Sequence, residues 1–164
     1  ASALAGLVAE RGRGNRHVLG HPRGTITLID ESYNANPASM KAAIELLHST
    51  PVSGKGRRIA VLGDMLELGA HSAKLHSALA DVIASAGMDM VFLAGPEMKS
   101  LAEPLPEGFP AEYRQGVEDL KPILLQAVRE GDAIMIKSSN GIGFSRLVDA
   151  LIGQYPAQAG TADS

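Results

Sequence analysis

The sequence predicts an α/β domain of three layers, with a mainly parallel sheet between two layers of helices and a β-hairpin at its start. Three observations predict it. Short unbroken apolar runs at 58–62, 90–94 and 133–137 read as strands buried on both faces. Segments whose apolar residues recur at three- and four-residue spacing alternate with those runs and read as helices. Alternation of this kind gathers into a parallel sheet whose crossovers are right-handed.

The elements follow in order. Residues 16–19 and 25–30 favour extended structure, and Gly20-His21-Pro22-Arg23-Gly24 between them is a turn by its glycine and proline content, which gives the hairpin. Met40, Ala43, Ile44 and Leu47 mark one face of a helix over 37–48, with Pro37 in its first turn and Asn36 as its cap. The run 58–62 closes at Gly63 and leads through a loop to a helix over 71–85. Strand 90–94 ends at Gly95-Pro96, a plain turn into a further helix. A helix over 117–129 enters strand 133–137, and a last helix covers 145–152. Residues 1–11 read as a linker, 12–153 as the domain, and 154–164, rich in Ala, Gly and small polar residues, as a frayed tail. The start at Ala1, without Met, suggests a piece of a longer polypeptide.

Composition removes several function classes. The 164 residues suit one domain, which buries roughly two-thirds of the extended chain's surface on folding. An aliphatic core is available from the 45% hydrophobic content, whereas three Phe, three Tyr and no Trp make no stacking platform for single-stranded nucleic acid. Fifteen Lys and Arg against eighteen Asp and Glu, a formal charge of -3, leave no broad basic face for a phosphate backbone, so no nucleic-acid partner is expected. The absence of Cys excludes disulfides and thiolate chemistry and suits a reducing cytoplasm. No stretch approaches the roughly 18 apolar residues that span a bilayer, so no membrane partner is expected either.

Ligands of open α/β sheets collect beyond the carboxyl ends of the strands, where loops and helix N-termini present unpaired N–H groups. Four segments qualify: 30–39, 63–69, 95–98 and 137–143. The first places Asp30, Glu31, Tyr33, Asn34 and Asn36 in one loop before a helix. Carboxylates suit ribose hydroxyls, and amides both donate to phosphates and accept from an adenine amine. The plainer alternative is that Asn36 only caps the helix and Asp30 only ends a strand. The second segment brackets Asp64 and Glu67 with glycines, as a ligand loop, a hinge or a solvated loop would. In the fourth, Lys137, Ser138, Ser139 and Asn140 combine a cation, hydroxyls and glycines, fit either for an anion or for a strand-to-helix connection. His71 and His76 stand five apart, not the four that align two imidazoles for zinc.

Two motifs are missing. There is no G-x-x-x-x-G-K-[ST], since Ser53-Gly54-Lys55-Gly56 lacks the upstream Gly and the following hydroxyl, and no G-x-G-x-x-G follows the first strand. A self-sufficient P-loop ATPase or dinucleotide-dependent dehydrogenase is therefore disfavoured.

The stretch Leu28-Ile29-Asp30-Glu31-Ser32-Tyr33-Asn34-Ala35-Asn36-Pro37-Ala38-Ser39-Met40 resembles the signature of the UDP-N-acetylmuramoyl-tripeptide:D-alanyl-D-alanine ligases of the Mur ligase family. Arg58 to Gly69, His76, Phe92-Leu93-Ala94-Gly95 and Gly131-Asp132 follow in the family's order, and Gly12-Arg13-Gly14 resembles the Gly-Arg element that opens its C-terminal domain. The resemblance covers 12–152 and only the last third of such an enzyme. It implies a Rossmann-like fold that closes over ATP, a central P-loop ATPase domain and an N-terminal domain in the same polypeptide, and Mg2+ held mainly by the central domain. It implies UDP-N-acetylmuramoyl-tripeptide and D-alanyl-D-alanine as substrates of the complete enzyme, inactivity of this chain alone, a cytoplasmic setting and a monomer. Carried over by residue, it implies that Arg13 approaches the ATP phosphates as the catalytic cation, with Arg16 as a rival, and that Asp30 holds the ribose. Tyr33, Asn34 and Asn36 would line the same nucleotide edge. Lys137-Ser138-Ser139-Asn140 departs from the family's more usual Lys-Gly-Ser-Arg, which removes an anion contact borrowed from that Arg. A folylpolyglutamate synthetase-like domain and a free-standing binding or interaction module are the alternatives, the former opposed by the Tyr-Asn-Ala-Asn-Pro loop.

Overall fold

The computed structural model describes residues 14–52 and 54–157. Six strands form one sheet: β1 (Asn15–His21), β2 (Gly24–Glu31), β3 (Arg58–Gly63), β4 (Met90–Ala94), β5 (Ala111–Arg114) and β6 (Ala133–Lys137). Their order is β1-β2-β6-β3-β4-β5. The hairpin β1–β2 is antiparallel, with Asn15 opposite Asp30 and His21 opposite Gly24, and the other four pairings are parallel.

Alternation along the strands sends side chains to two separate cores. Ile29, Ala60, Leu62, Val91, Leu93 and Met135 face one side, where they meet α1 (Pro37–Ser49), α2 (Ser72–Ser85) and the one-turn helix α3 (Lys99–Ala102). Leu28, Ile59, Val61, Phe92, Ile134 and Ile136 face the other, beneath α4 (Val117–Ala127) and α5 (Ser145–Gln154). Each helix reaches its core through a single apolar stripe: Met40, Ala43, Ile44 and Leu47 on α1, and Leu147, Val148 and Leu151 on α5.

The sequence reading holds for both strands of the hairpin, the three apolar strands and the flanking helices, within two residues at their ends. It misses β5, whose Ala-Glu-Tyr-Arg sequence has no apolar run because an edge strand is covered incompletely. The helix expected over 117–129 stops at Ala127, because Arg129 turns back and donates its N–H to Asp132 Oδ2 at 2.9 Å. A single 3-10 turn, Gly69–His71, precedes α2. Packing also runs past 153. Gln154 ends α5, Gly20 N–H donates to Pro156 O, Tyr155 stacks on His21 with ring centroids 5.4 Å apart, and Ala157 bridges to Leu19.

Sheet order sets the position of the site. β2 and β3 pass into α1 and α2 on one face, whereas β6, which lies between them, passes into α5 on the other. Loops leaving in opposite directions open a crevice at the carboxyl end of β6, the place where open sheets of this class bind ligands.

Candidate nucleotide-facing site

Three of the four expected segments meet at that crevice. Ser139, just past β6, donates its N–H to Asp64 O at 3.1 Å, accepts from Leu66 N–H at 2.8 Å through its hydroxyl, and places the same Oγ 3.5 Å from Ala35 O. One serine thus joins the loops that follow β2, β3 and β6. Gly63 makes the approach possible, since a Cβ there would come within 2.7 Å of the Phe144 ring and of Ser138 Cβ.

The loop after β2 is built from its own polar groups. Asp30 is 1% exposed, and its Oδ1 accepts from Ser32 N–H at 3.0 Å and from the Ser32 hydroxyl at 2.6 Å, which folds the chain back as it leaves the strand. Asn36 is the N-cap of α1: its Oδ1 accepts from Ser39 N–H at 2.8 Å, and Ser39 Oγ accepts from Asn36 N–H at 3.0 Å. Between these fixed points Tyr33 and Asn34 are exposed, Tyr33 by 42%, while Ala35 is buried beneath them. Of the four residues that the sequence assigns to a nucleotide, Tyr33, Asn34 and Asn36 therefore face solvent on one rim, and Asp30 lies under it.

Arg13 lies outside the described residues. Gly14 donates its N–H to Asp30 O at 2.8 Å, so the strand entering the hairpin passes beside this loop. Arg16 is exposed on β1 in register with Ile29.

Lys137, read from the sequence as a cation for an anion or as part of a connection, turns inward. Its Nζ donates to Asn34 O at 2.9 Å and stands 3.7 Å from Glu31 Oε1, and burial pushes its pKa below 10.5 against the upward pull of Glu31. The loop after β3 is anchored just as firmly. Asp64 Oδ1 and Oδ2 accept from the N–H groups of Met98 and Glu97 at 2.9 and 3.2 Å. Burial nevertheless raises the Asp64 pKa above 3.8, outweighing those two donors and the nearby His76.

His76 is fully buried on α2 and belongs to this anchoring, not to a zinc pair. Its Nδ1 lies 2.8 Å from Ser72 O and its Nε2 accepts from Met65 N–H at 3.0 Å, which places the ring proton on Nδ1. The Ser72 hydroxyl in turn donates to Glu97 Oε1 at 2.5 Å. Sequence reasoning had no direct sign of this bond, although His76 falls in step with Leu79, Ala80 and Ile83 on the buried stripe of α2. Glu67 adopts a φ of 66° in the same loop, beside a cavity of about 210 Å³ bordered by Met65, Leu68, Ser72 and Glu97.

Residues 12–140 match the family model described as Mur ligase, glutamate ligase domain. The chain belongs to this family. As a Mur ligase domain it is 34% identical over 149 residues to the UDP-N-acetylmuramoyl-tripeptide--D-alanyl-D-alanine ligase of Rickettsia prowazekii, covering 91% of this chain and 32% of that one. It is 36% identical over 154 residues to the ligase of the same name from Bacillus subtilis, covering 92% and 33%. The Mur ligase domain thus spans about a third of the length of the curated relatives it matches. Among solved structures, the MurF ligase of Thermotoga maritima in complex with ADP superposes with a TM-score of 0.70 at 24% identity, covering 89% of this chain and 31% of that one, a likeness of fold. Among the described residues of this Mur ligase domain, no helix is long and apolar enough to cross a membrane.

Proposed function

We propose that this chain is the C-terminal domain of an ATP-dependent ligase that joins D-alanyl-D-alanine to UDP-N-acetylmuramoyl-tripeptide, and that it closes over the nucleotide. The observation that carries the proposal is the position of the 28–40 signature. Its exposed residues Tyr33, Asn34 and Asn36 lie beside the topological crevice, where a nucleotide is expected on physical grounds. Support comes from relatives named for that reaction and from the ADP complex of the Thermotoga maritima neighbour.

In the complete enzyme the γ-phosphoryl group of ATP passes to the peptide carboxylate, forming an acyl phosphate and ADP. The amine of D-alanyl-D-alanine then attacks the acyl carbon and releases phosphate. Mg2+, held mainly by the central domain, offsets charge on the phosphates. This chain's part is to close the adenosine side, with Asp30 toward the ribose, Tyr33, Asn34 and Asn36 along the nucleotide edge, and Arg13 toward the phosphates. Its partners are the N-terminal and central domains of one monomeric, cytoplasmic polypeptide, and alone it is inactive.

The test is ADP affinity in the full-length protein. Asp30→Ala and Asn34→Ala are expected to weaken it, and the isolated chain should release no phosphate from ATP in the presence of both substrates. Unchanged affinity in both variants would remove the nucleotide role of this loop.

A further inference from the structure

We propose that Lys137 is a positioning residue for the nucleotide: seated between Glu31 and the carbonyl of Asn34, it fixes the bend that presents Tyr33 and Asn34 at the crevice. The inference rests on the nucleotide reading of that loop and adds a residue to it.

Register brings the groups together. Glu31 and Lys137 are partners at the last rungs of the parallel pair β2–β6, so the loops that follow both strands start side by side. Lys137 is 5% exposed, and its Nζ spans from β6 to Asn34 O, 103 residues earlier in the chain. An ammonium taken out of water is costly unless it is both paired and hydrogen-bonded. Glu31 supplies the pairing at 3.7 Å and Asn34 O the bond at 2.9 Å. A neutral, apolar side chain at this position would fill the space without the bond to Asn34 O.

What Lys137 holds is the middle of the loop. Asp30 and Ser32 fix one end and the Asn36–Ser39 capping box the other. The Lys137 contact pins Asn34 between those anchors, at the point where the two exposed side chains leave the backbone. Glu31 extends the arrangement to the incoming strand, because a Cβ on Gly14 would lie 3.4 Å from Glu31 Oε2. Lys137 is accordingly a strut within the site and makes no direct contact with phosphate.

The experiment has two parts. In the 164-residue chain, NMR should show a Lys137 ammonium signal protected from solvent exchange, with a cross-peak to Asn34 or Ala35. Lys137→Met should lower the heteronuclear NOE of residues 33–35 while α1 keeps its order. In the full-length protein, Lys137→Met should raise KM for ATP about tenfold with a smaller change in kcat, the loss expected for one charged hydrogen bond. Glu31→Gln should give an intermediate rise. Should Lys137→Met fail to fold, the wild-type ammonium signal and Glu31→Gln decide. A freely exchanging ammonium, or a loop as ordered in Lys137→Met as in the wild type, overturns the proposal. If KM is unchanged by Lys137→Met but raised by Asn34→Ala, the strut is wrong and the nucleotide reading stands. If neither variant moves KM, the nucleotide reading itself fails and takes the proposal with it.

Discussion

The α-carbon of Gly95 lies against the carboxylate of Asp64, with no room between them for a methyl group. Asp64 reaches this place from the end of β3 to accept two N–H groups at the start of α3, so the glycine is where two parallel strands are tied at their carboxyl ends. Gly95 also has a φ of 120°, which L side chains seldom adopt.

Gly95→Ala combines a clash with backbone strain and is expected to destabilise the domain by about 3 kcal/mol in urea unfolding. Gly108→Ala is the control. Its φ is 83° but nothing lies within 4 Å of a Cβ there, so strain alone remains, about 1 kcal/mol. Equal losses in the two variants would mean that the Asp64 contact contributes nothing.

Asp64 also predicts a pH dependence. Burial raises its folded-state pKa above the ordinary 3.8, despite the two N–H donors. The folded chain then holds this proton more tightly than the unfolded chain. The associated stability is fully present below 3.8 and is lost as pH rises through the folded value. Asp64→Asn removes the titration, so the stability advantage of the wild type over this variant should shrink as pH increases across that window. An advantage that grows instead would contradict the raised value, which a carboxyl carbon NMR titration of Asp64 measures directly.

Legibility in the sequence followed burial. β3, β4 and β6 stand out as apolar runs because both of their faces are covered, whereas β5 leaves too little apolar pattern to be seen, and α3 was legible only through the Gly95-Pro96 turn that leads into it. Asn36 was legible as a cap because a cap is a local device, completed three residues later by Ser39. The inward turn of Lys137 and the three-loop contact of Ser139 were not. Each depends on β6 inserting between β2 and β3, a choice that residues more than seventy positions apart make together. Polarity marked Asp30 as a candidate, but that its carboxylate is buried and turned onto Ser32 is settled only by the fold.

The far end of the sheet offers a stability test away from the crevice. Asp132 is 1% exposed and accepts from Arg57 Nε at 3.1 Å, Arg57 Nη2 at 2.8 Å, Arg57 N–H at 3.2 Å and Arg129 N–H at 2.9 Å. Removing the carboxylate leaves the Arg57 guanidinium its bond to the Ala127 carbonyl but no charge partner, and orphans two backbone donors, so Asp132→Ala is expected to cost about 3 kcal/mol. Arg57→Met leaves Asp132 two backbone partners and keeps the apolar stem, and it should cost clearly less. Chemical denaturation of both variants checks the order. The reverse order would assign the stabilisation to the cation and not to the four-fold acceptor.

Asn36 carries two demands that substitution can separate. As the cap of α1 it needs a short side-chain acceptor for Ser39 N–H, a need that Asp and Ser also meet. As a residue of the nucleotide edge it would need an amide that both donates and accepts, which neither Asp nor Ser provides. Asn36→Ala is therefore expected to lose about 1 kcal/mol of stability, roughly 3 °C in melting temperature for a domain of this size. Asn36→Ser should melt within about 1 °C of the wild type on the same scale. Nucleotide affinity of the full-length protein gives the second readout: it should fall in both variants if the amide touches the ligand. A fall in Asn36→Ala alone would reduce Asn36 to its cap, leaving Tyr33 and Asn34 as the exposed contacts of the loop.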